Sequence, residues 1–494
     1  MRLTSFLLVQ MVAALLAGVF TTLTASPFEL WWLGPIAMAL MYWGIHALSP
    51  AQAALKGWLY GVALFATGAS WVYVSIHDYG YTSMPLALFL TALFVVALAL
   101  FYAVTLWLYR RLSGPRLALL TFAGAWVLGE VLRTYLFTGF PWLLLGASQV
   151  DSPLASWAPI GGVYWLSLLV VLSGTLVAEL VHRRWWALAP LGAIWLVPLA
   201  LPAQWTTPVA TPTRVALLQG NLPQLIKWTP EGQRLAANTY SALTAQVADD
   251  ADLIIWPETA LPMTETQARP VLERVQANLP SGTALLTGIV QIDPEQRFFN
   301  SVIGVGDVSG SYQKEHLVPF GEYLPLERVL RGAIDFFDLP MSSFTKGDTH
   351  QSPMQAAGVA IGNAICYEII YSELVARRAQ ESDVLLTVSN DTWFGASIGP
   401  HQHLQMARLR ALENGRYVLR ATSNGITVIV DPRGDVVARA PQFETTALVG
   451  EFYAMQGNTP FTRIGSWPTW LLAALMLVPG LLSRRAGRRP GSLS

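Results

Sequence analysis

Hydrophobic and polar positions divide the chain into two regimes. From Met1 to Ala203 apolar residues run with few interruptions. A helix needs about 20 apolar residues to cross a bilayer. Stretches of that kind fall at roughly Phe6–Ala25, Phe28–Leu48, Leu55–Ile76, Pro85–Tyr109, Leu117–Phe137, Gly161–Val181 and Trp186–Leu201, with one more at Trp467–Leu482. They predict about eight membrane helices, the seventh short and carrying Pro190 and Pro198. The first also fits a signal-peptide pattern, with Arg2 ahead of it and Ala25 at its end, but further apolar stretches follow at once. From Arg214 to Thr462 the pattern changes. Apolar, partly β-branched runs at Arg214–Gln219, Asp252–Trp256, Ala284–Val290, Ser301–Val305, Val359–Cys366, Val384–Val388 and Ile426–Val430 predict strands. Between them, Gln233–Val247, Pro270–Asn278, Ser372–Ala379 and His403–Glu413 have helical spacing. Strand-then-helix order predicts an α/β sheet covered by helices, and Asp431–Asp435 reads as a turn between two strands.

Composition sharpens this division. Hydrophobic residues make up 53% of the 494 and charged residues 13%, against about 25% charged in an average soluble domain. The expected organisation is a transmembrane domain of seven helices over 1–205, a soluble-like catalytic domain over 206–462, and a last membrane helix with a basic tail over 463–494. The net charge is zero and no basic-aromatic stripe is present, so nothing points to nucleic acid.

Charge placement predicts orientation. With the N-terminus inside, one side carries Arg2, Lys56, Arg110, Arg111, Arg116, Arg183 and Arg184, and the tail adds Arg484, Arg485, Arg488 and Arg489. The opposite short loops, around His77–Ser83 and Thr138–Ile160, hold no Lys or Arg. This places both termini in the cytoplasm and the long segment outside, in an oxidising compartment. Glu130 and Arg133 lie within the fifth apolar stretch, three residues apart on one helical face. Both a mutual ion pair and a lipid-headgroup role are open. The Gly139–Trp142 turn is expected to be outside as an interfacial aromatic anchor. The apolar stretch Val318–Phe344 fits core filler and a flap on the bilayer surface equally.

The single cysteine, Cys366, ends a strand-like run, with Glu368 two residues on. One sulfur excludes an internal disulfide. A lone thiol is most often a small buried hydrophobe, but two other strand ends place polar residues in matching positions. Glu258 follows Ile254–Pro257, and Lys314 follows the Gly306–Gln313 turn. Active sites of α/β sheets lie at strand ends. A thiol attacks a carbonyl as thiolate and needs a base, for which Glu258 is the candidate. The tetrahedral oxyanion needs a fixed cation or N–H donors, for which Lys314 and the Tyr367 amide are candidates. His316, His401 and His403 offer a different base, as in Cys–His proteases. His401 and His403 hint at a metal pair, but no third ligand is evident, so neither metal nor cofactor is expected.

Three runs carry a family resemblance: Trp256-Pro257-Glu258, then Tyr312-Gln313-Lys314 through Pro319-Phe320-Gly321-Glu322, then Cys366-Tyr367-Glu368. Over Arg214–Gly450 the chain resembles the nitrilase superfamily, which implies an αββα sandwich and a Glu–Lys–Cys triad. The surrounding membrane helices narrow the resemblance to the bacterial apolipoprotein N-acyltransferase family. The runs Gln219-Gly220-Asn221 with Trp228, and Ser389 through Gly395, agree with it. The resemblance implies Glu258 as general base, Lys314 as oxyanion stabiliser and Cys366 as nucleophile. It also implies Glu322 in support, and Trp228, Tyr367 and Glu368 at positions needed for activity. The implied reaction is two-step acyl transfer in the bacterial inner membrane, on the periplasmic side. A phospholipid, phosphatidylethanolamine by expectation, acylates Cys366, and the N-terminal diacylglyceryl-cysteine of a lipoprotein accepts the acyl group. The alternative is a membrane-anchored amidase or nitrilase with water as second nucleophile.

Overall fold

The computed structural model describes residues 3–114, 117–209, 211–325 and 343–486. Arg2, Arg116, Arg488 and Arg489 lie outside them, as does most of the Val318–Phe344 stretch, Phe336 and Phe337 included. The chain forms two compact units. One comprises Met1–Val72, Pro85–Ala203 and Ile464–Ser494, the other Tyr73–Met84 and Gln204–Arg463.

In the first unit helix meets all eight apolar stretches. The helices are Leu3–Thr24, Leu33–Tyr42, Pro50–Gly68 followed by Trp71–His77, Met84–Leu112, Ala118–Tyr135, Ala158–Val181, Leu188–Leu196, and Trp467–Leu475 followed by Val478–Ala486. Among the described residues three are long and apolar enough to cross a membrane: Thr4–Thr24, Met84–Leu112 and Pro153–Val181. A fourth qualifies if Pro50–Gly68 and Trp71–His77, bent by 60°, form one span. Ala118–Tyr135 is 18 residues long but carries Glu130 and Arg133, and the remaining apolar helices are shorter. Gly44, at φ +68°, follows the second helix in the left-handed region that glycine tolerates, and Pro479 sits at the break in the last. Along Met84–Leu112 the side chains of Leu88, Phe89, Leu93, Leu100 and Val104 are exposed. Such an apolar row matches lipid better than water.

The buried charges of this unit depart from expectation. Glu130 and Arg133 form no ion pair. Glu130 Oε1 accepts from the Leu145 amide at 3.1 Å. Arg133 Nη1 donates to the carbonyls of Phe140 and Trp142, each at 2.6 Å. Both bind the irregular segment after their own helix, whose backbone groups have no helical partner. Trp142 is buried against Trp71, with ring centroids 4.8 Å apart, and is not an exposed interfacial anchor. Lys56, counted above as a cytoplasmic surface charge, is buried too. Its Nζ donates to Gln10 Oε1 at 2.7 Å and to the carbonyls of Leu40 and Trp43 at 3.0 and 2.9 Å.

The second unit is built on two mixed sheets. The strands of these two sheets are β1 (Thr213–Gln219), β2 (Leu253–Ile255), β3 (Ala284–Ile292), β4 (Phe298–Gly306), β5 (Val308–Ser309), β6 (Tyr312–Gln313), β7 (Met354–Ala356), β8 (Val359–Ile365), β9 (Val384–Ser389), β10 (Val418–Thr422), β11 (Val428–Val430), β12 (Val436–Arg439) and β13 (Thr446–Phe452). One sheet has the order β13-β1-β2-β3-β4-β6, the other β12-β11-β10-β9-β8-β7-β5. β1, β2 and β3 run parallel, as do β8, β9 and β10. Successive side chains of a strand point to opposite faces, and both faces here are buried. Val215, Leu217, Leu253, Ile255 and Leu286 of the first sheet meet Ile361, Ile365, Val384, Leu386 and Leu419 of the second in one core. On the outer face Ala216, Leu218, Ile254 and Leu285 pack against Tyr240 and Leu243 of the Pro230–Val247 helix and Leu272 and Val275 of the Glu265–Gln276 helix. The Ser372–Gln380 and Gly399–Asn414 helices cover the second sheet. The layers are helix, sheet, sheet, helix, and this doubly buried arrangement explains why the strands read as continuous apolar runs.

Candidate active site

Each of the three principal candidates leaves a strand end or turn in a fixed direction. Beyond β2 the chain turns at Thr259, whose φ is +47°. It passes so close to Gly288 that a Cβ there would lie 2.6 Å from the Glu258 Cα. Glycine at 288 therefore lets β3 accommodate Glu258. Lys314 follows β6, its amide donating to the Asn300 carbonyl on β4 at 2.8 Å. Cys366 follows β8 with φ +53°, a strained left-handed turn for a residue with a Cβ.

The first two side chains meet in a buried polar cluster. Lys314 Nζ, 1% exposed, donates to Glu322 Oε1 at 2.8 Å and lies 3.5 Å from Glu258 Oε1. Asn300 Nδ2 spans both carboxylates, at 2.7 Å from Glu258 Oε1 and 2.8 Å from Glu322 Oε1. Glu258 Oε2 accepts from the Asn390 amide at 2.7 Å, and Glu322 Oε2 from the Val318 amide at 2.8 Å. Cys366 is within reach of the charges of both Glu258 and Lys314.

Electrostatics follow from this crowding. Burial pulls the Lys314 ammonium down, but Glu322 and Glu258 together outweigh it and hold its pKa above the ordinary value. Burial pushes the Cys366 thiol up, Glu258 adds to the rise, and Lys314 opposes it. The sulfur is thus held as a thiol, and thiolate chemistry there would need a base. Its access is partial, intermediate between buried and exposed.

Glu368 clamps the two loops together. Its Oε2 accepts from the Ile365 amide at 2.7 Å, just before the Cys366 turn. Its Oε1 accepts from the amides of Glu315 and His316 at 2.7 and 3.0 Å, just after Lys314. The Tyr312 hydroxyl donates to it as well, at 3.0 Å. Burial pushes the Glu368 carboxyl up to about 7, with Lys314 and these amides resisting. Trp228 stands apart from this clamp, packed with Tyr323 against Val290, Leu317 and Phe344. Tyr367 packs on Tyr371, centroids 5.4 Å apart.

Against known families, residues 17–176 match the N-terminal domain of apolipoprotein N-acyltransferases and residues 214–455 match the carbon-nitrogen hydrolases. Similar full-length relatives include the apolipoprotein N-acyltransferase of Azotobacter vinelandii, 45% identical and covering 96% of this chain and 95% of that one. Those of Pseudomonas syringae pv. tomato, 43% identical over 96% and 97%, and Vibrio vulnificus, 42% over 94% and 95%, behave alike. The chain belongs to the apolipoprotein N-acyltransferase family. It is thus an acyltransferase whose catalytic unit has the nitrilase-like arrangement of mixed sheets.

Asn300 and Arg420 are the members of this site that the sequence pattern does not mark. Asn300 was hidden inside a strand, its one signal being an amide among apolar neighbours. His403 was weighed as a base but serves the backbone. Its Nε2 lies 3.1 Å from the Cys366 carbonyl and its Nδ1 3.1 Å from both Asp391 Oδ1 and Arg420 Nη2. Burial and Arg420 hold its pKa below the ordinary value. A neutral ring that donates from Nε2 to the Cys366 carbonyl and accepts from Arg420 satisfies both nitrogens. Ser389 links this group to the sulfur, contacting the thiol and donating to Asp391 Oδ1 at 2.7 Å. Among the described residues no group of three or more His, Cys, Asp or Glu side chains is arranged to hold a metal.

Proposed function

We propose that the protein N-acylates the N-terminal diacylglyceryl-cysteine of lipoproteins, taking the acyl group from a phospholipid through a thioester on Cys366. Its names among relatives point to the lipoprotein acceptor. The observation that carries the mechanism is the shared buried setting of Glu258, Lys314 and Cys366, with Glu322 and Asn300 holding the carboxylates around the ammonium.

Glu258 takes the thiol proton as the sulfur attacks the ester carbonyl of the donor. Lys314 and the Tyr367 amide stabilise the oxyanion. The carbon–oxygen bond then breaks, Glu258 returns the proton to the leaving alkoxide, and lysophospholipid departs. In the second half Glu258 takes a proton from the acceptor's α-amine as it attacks the thioester. The carbon–sulfur bond breaks, the thiol is regenerated, and an amide is formed. Water must be kept from the thioester for transfer to exceed hydrolysis. Both substrates are lipids, which accounts for joining such a site to apolar helices. In this reading the apolar stretches make eight spans, 1–205 and 463–494 are membrane domains with both termini cytoplasmic, and 206–462 works on the periplasmic side.

Intact-protein mass spectrometry tests the proposal. Incubation with phosphatidylethanolamine should add one acyl mass on Cys366, and a lipopeptide with a free diacylglyceryl-cysteine amine should discharge it. Cys366→Ser should carry no thioester. An equal, hydroxylamine-labile adduct on that variant would refute the nucleophile assignment.

A further inference from the structure

Among the described residues, the buried cations of the catalytic unit are, with one exception, bonded. Lys314 holds Glu322 and Glu258, Arg378 holds Glu315, Arg410 holds Glu413 and Arg420 holds Asp391. Arg416 donates to the carbonyls of Ser382 and Gly457. Lys227 is the exception. It is 6% exposed, and among the described residues no hydrogen bond or ion pair holds its Nζ. Glu258 is the charged group that acts on it, and burial lowers its pKa to about 8. An ammonium removed from water without a partner is costly.

The position of Lys227 is built. The Gln224–Ile226 turn delivers it, with its amide donating to the Gln224 carbonyl at 3.2 Å. Gly232, in the first turn of the next helix, packs so tightly on the Ile226 and Lys227 carbonyls that it has no room for a Cβ. The same turn reaches the catalytic carboxylate in two steps. Gln224 Oε1 accepts from Asn390 Nδ2 at 3.1 Å, and the Asn390 amide donates to Glu258 at 2.7 Å. The next residue, Trp228, walls a cavity of about 320 Å³ together with Met263, Val290, Phe298 and Phe344.

A nearly buried ammonium without a partner, on a turn bonded through Asn390 to Glu258 and one residue before the cavity wall at Trp228, calls for an anionic ligand with a hydrophobic part. The acyl donor has that chemistry: one phosphodiester charge, separated from the reacting ester by the glycerol carbons. The acceptor's α-ammonium has the wrong sign and would be repelled until it lost its proton. We propose that Lys227 forms the phosphodiester subsite for the acyl donor, an inference that rests on the phospholipid reading above.

The test compares two donors on the full-length protein in detergent micelles, following the acyl mass on Cys366 with time. Phosphatidylethanolamine supplies ester and phosphate, and p-nitrophenyl palmitate supplies ester alone. Lys227→Met should slow acylation by the phospholipid about tenfold or more, the scale of one lost charge-assisted contact. It should leave the rate with p-nitrophenyl palmitate within about twofold, and Lys227→Arg should restore most of the phospholipid rate. If the Met variant does not fold, Lys227→Gln carries the same comparison. Equal loss with both donors would make Lys227 a counter-charge to Glu258, and no loss with either would make it idle. Each overturns the subsite. Inhibition of the wild type by inorganic phosphate but not by glycerophosphoethanolamine would assign the site to free phosphate and overturn the lipid assignment. A wild-type protein that takes acyl from p-nitrophenyl palmitate but not from phospholipid removes the donor reading, and this inference with it.

Discussion

The two units bury charge in opposite ways. In the helical unit Lys56, Glu130 and Arg133 are separate, and each is bonded to neutral groups of the backbone or an amide side chain. In the catalytic unit Glu258, Lys314 and Glu322 are gathered within hydrogen-bonding range and bonded to one another. Irregular backbone inside an apolar bundle has no water to satisfy it, so a lone charge with several donors or acceptors is an effective brace. Charges brought together instead tune each other, which is what acid–base chemistry requires. The first arrangement braces the backbone, and the second is the kind that the proposed chemistry needs.

That contrast can be broken by asking what each charge loses when neutralised. Glu258→Gln should lower the rate of Cys366 acylation by about 10²–10⁴-fold, the range for a missing general base. Lys314 keeps Glu322, so the thermal midpoint should hold; a variant with normal turnover would remove Glu258 as base. Arg133→Leu should do the reverse. It leaves the carbonyls of Phe140 and Trp142 without their donor and should cost about 1–3 kcal/mol of stability for each, read as a lower midpoint in detergent. Retained stability with lost activity would place Arg133 among the functional charges.

Glu368 lies between the two types, because it braces loops within the reactive cluster. Its carboxyl binds a proton more tightly in the folded protein than in the unfolded chain, its pKa being raised from 4.5 to about 7. The resulting contribution to stability is complete below about pH 4.5 and is lost as the pH rises through about 7. Glu368→Gln should therefore flatten the fall in thermal midpoint between pH 5 and pH 8. It should also lower stability at every pH by about 1–3 kcal/mol, since one amide oxygen cannot serve all of the donors. The smallest effect is expected for Glu130→Gln. The amide oxygen can still accept from Leu145, so stability should change by less than about 1 kcal/mol and acylation should be unaffected. A large loss of activity there would break the comparison from the membrane side.

Much of this molecule was legible along the chain because the relevant physics is local. A run such as Val384–Val388 is mostly apolar, without alternation, because both faces of its strand are covered. The apolar stretches turn helical because a helix satisfies its backbone within itself where the surroundings are apolar. Glu258, Lys314 and Cys366 stood out because each is polar at the end of an apolar run. β10, β12 and β13 were harder to see. Arg420 interrupts the first, and the other two are edge strands whose exposed positions blur the alternation. What the tertiary structure alone decided was partnership. Neither Glu130 nor Arg133 chose the neighbour three residues away, because the unpaired backbone of a later segment was a better partner for each. Asn300 joined two carboxylates from distant loops, and His403 turned to a carbonyl rather than a sulfur. Periodicity records which face of an element is covered. Hydrogen-bond partners are set by where distant segments come to rest, and one dimension does not carry that information.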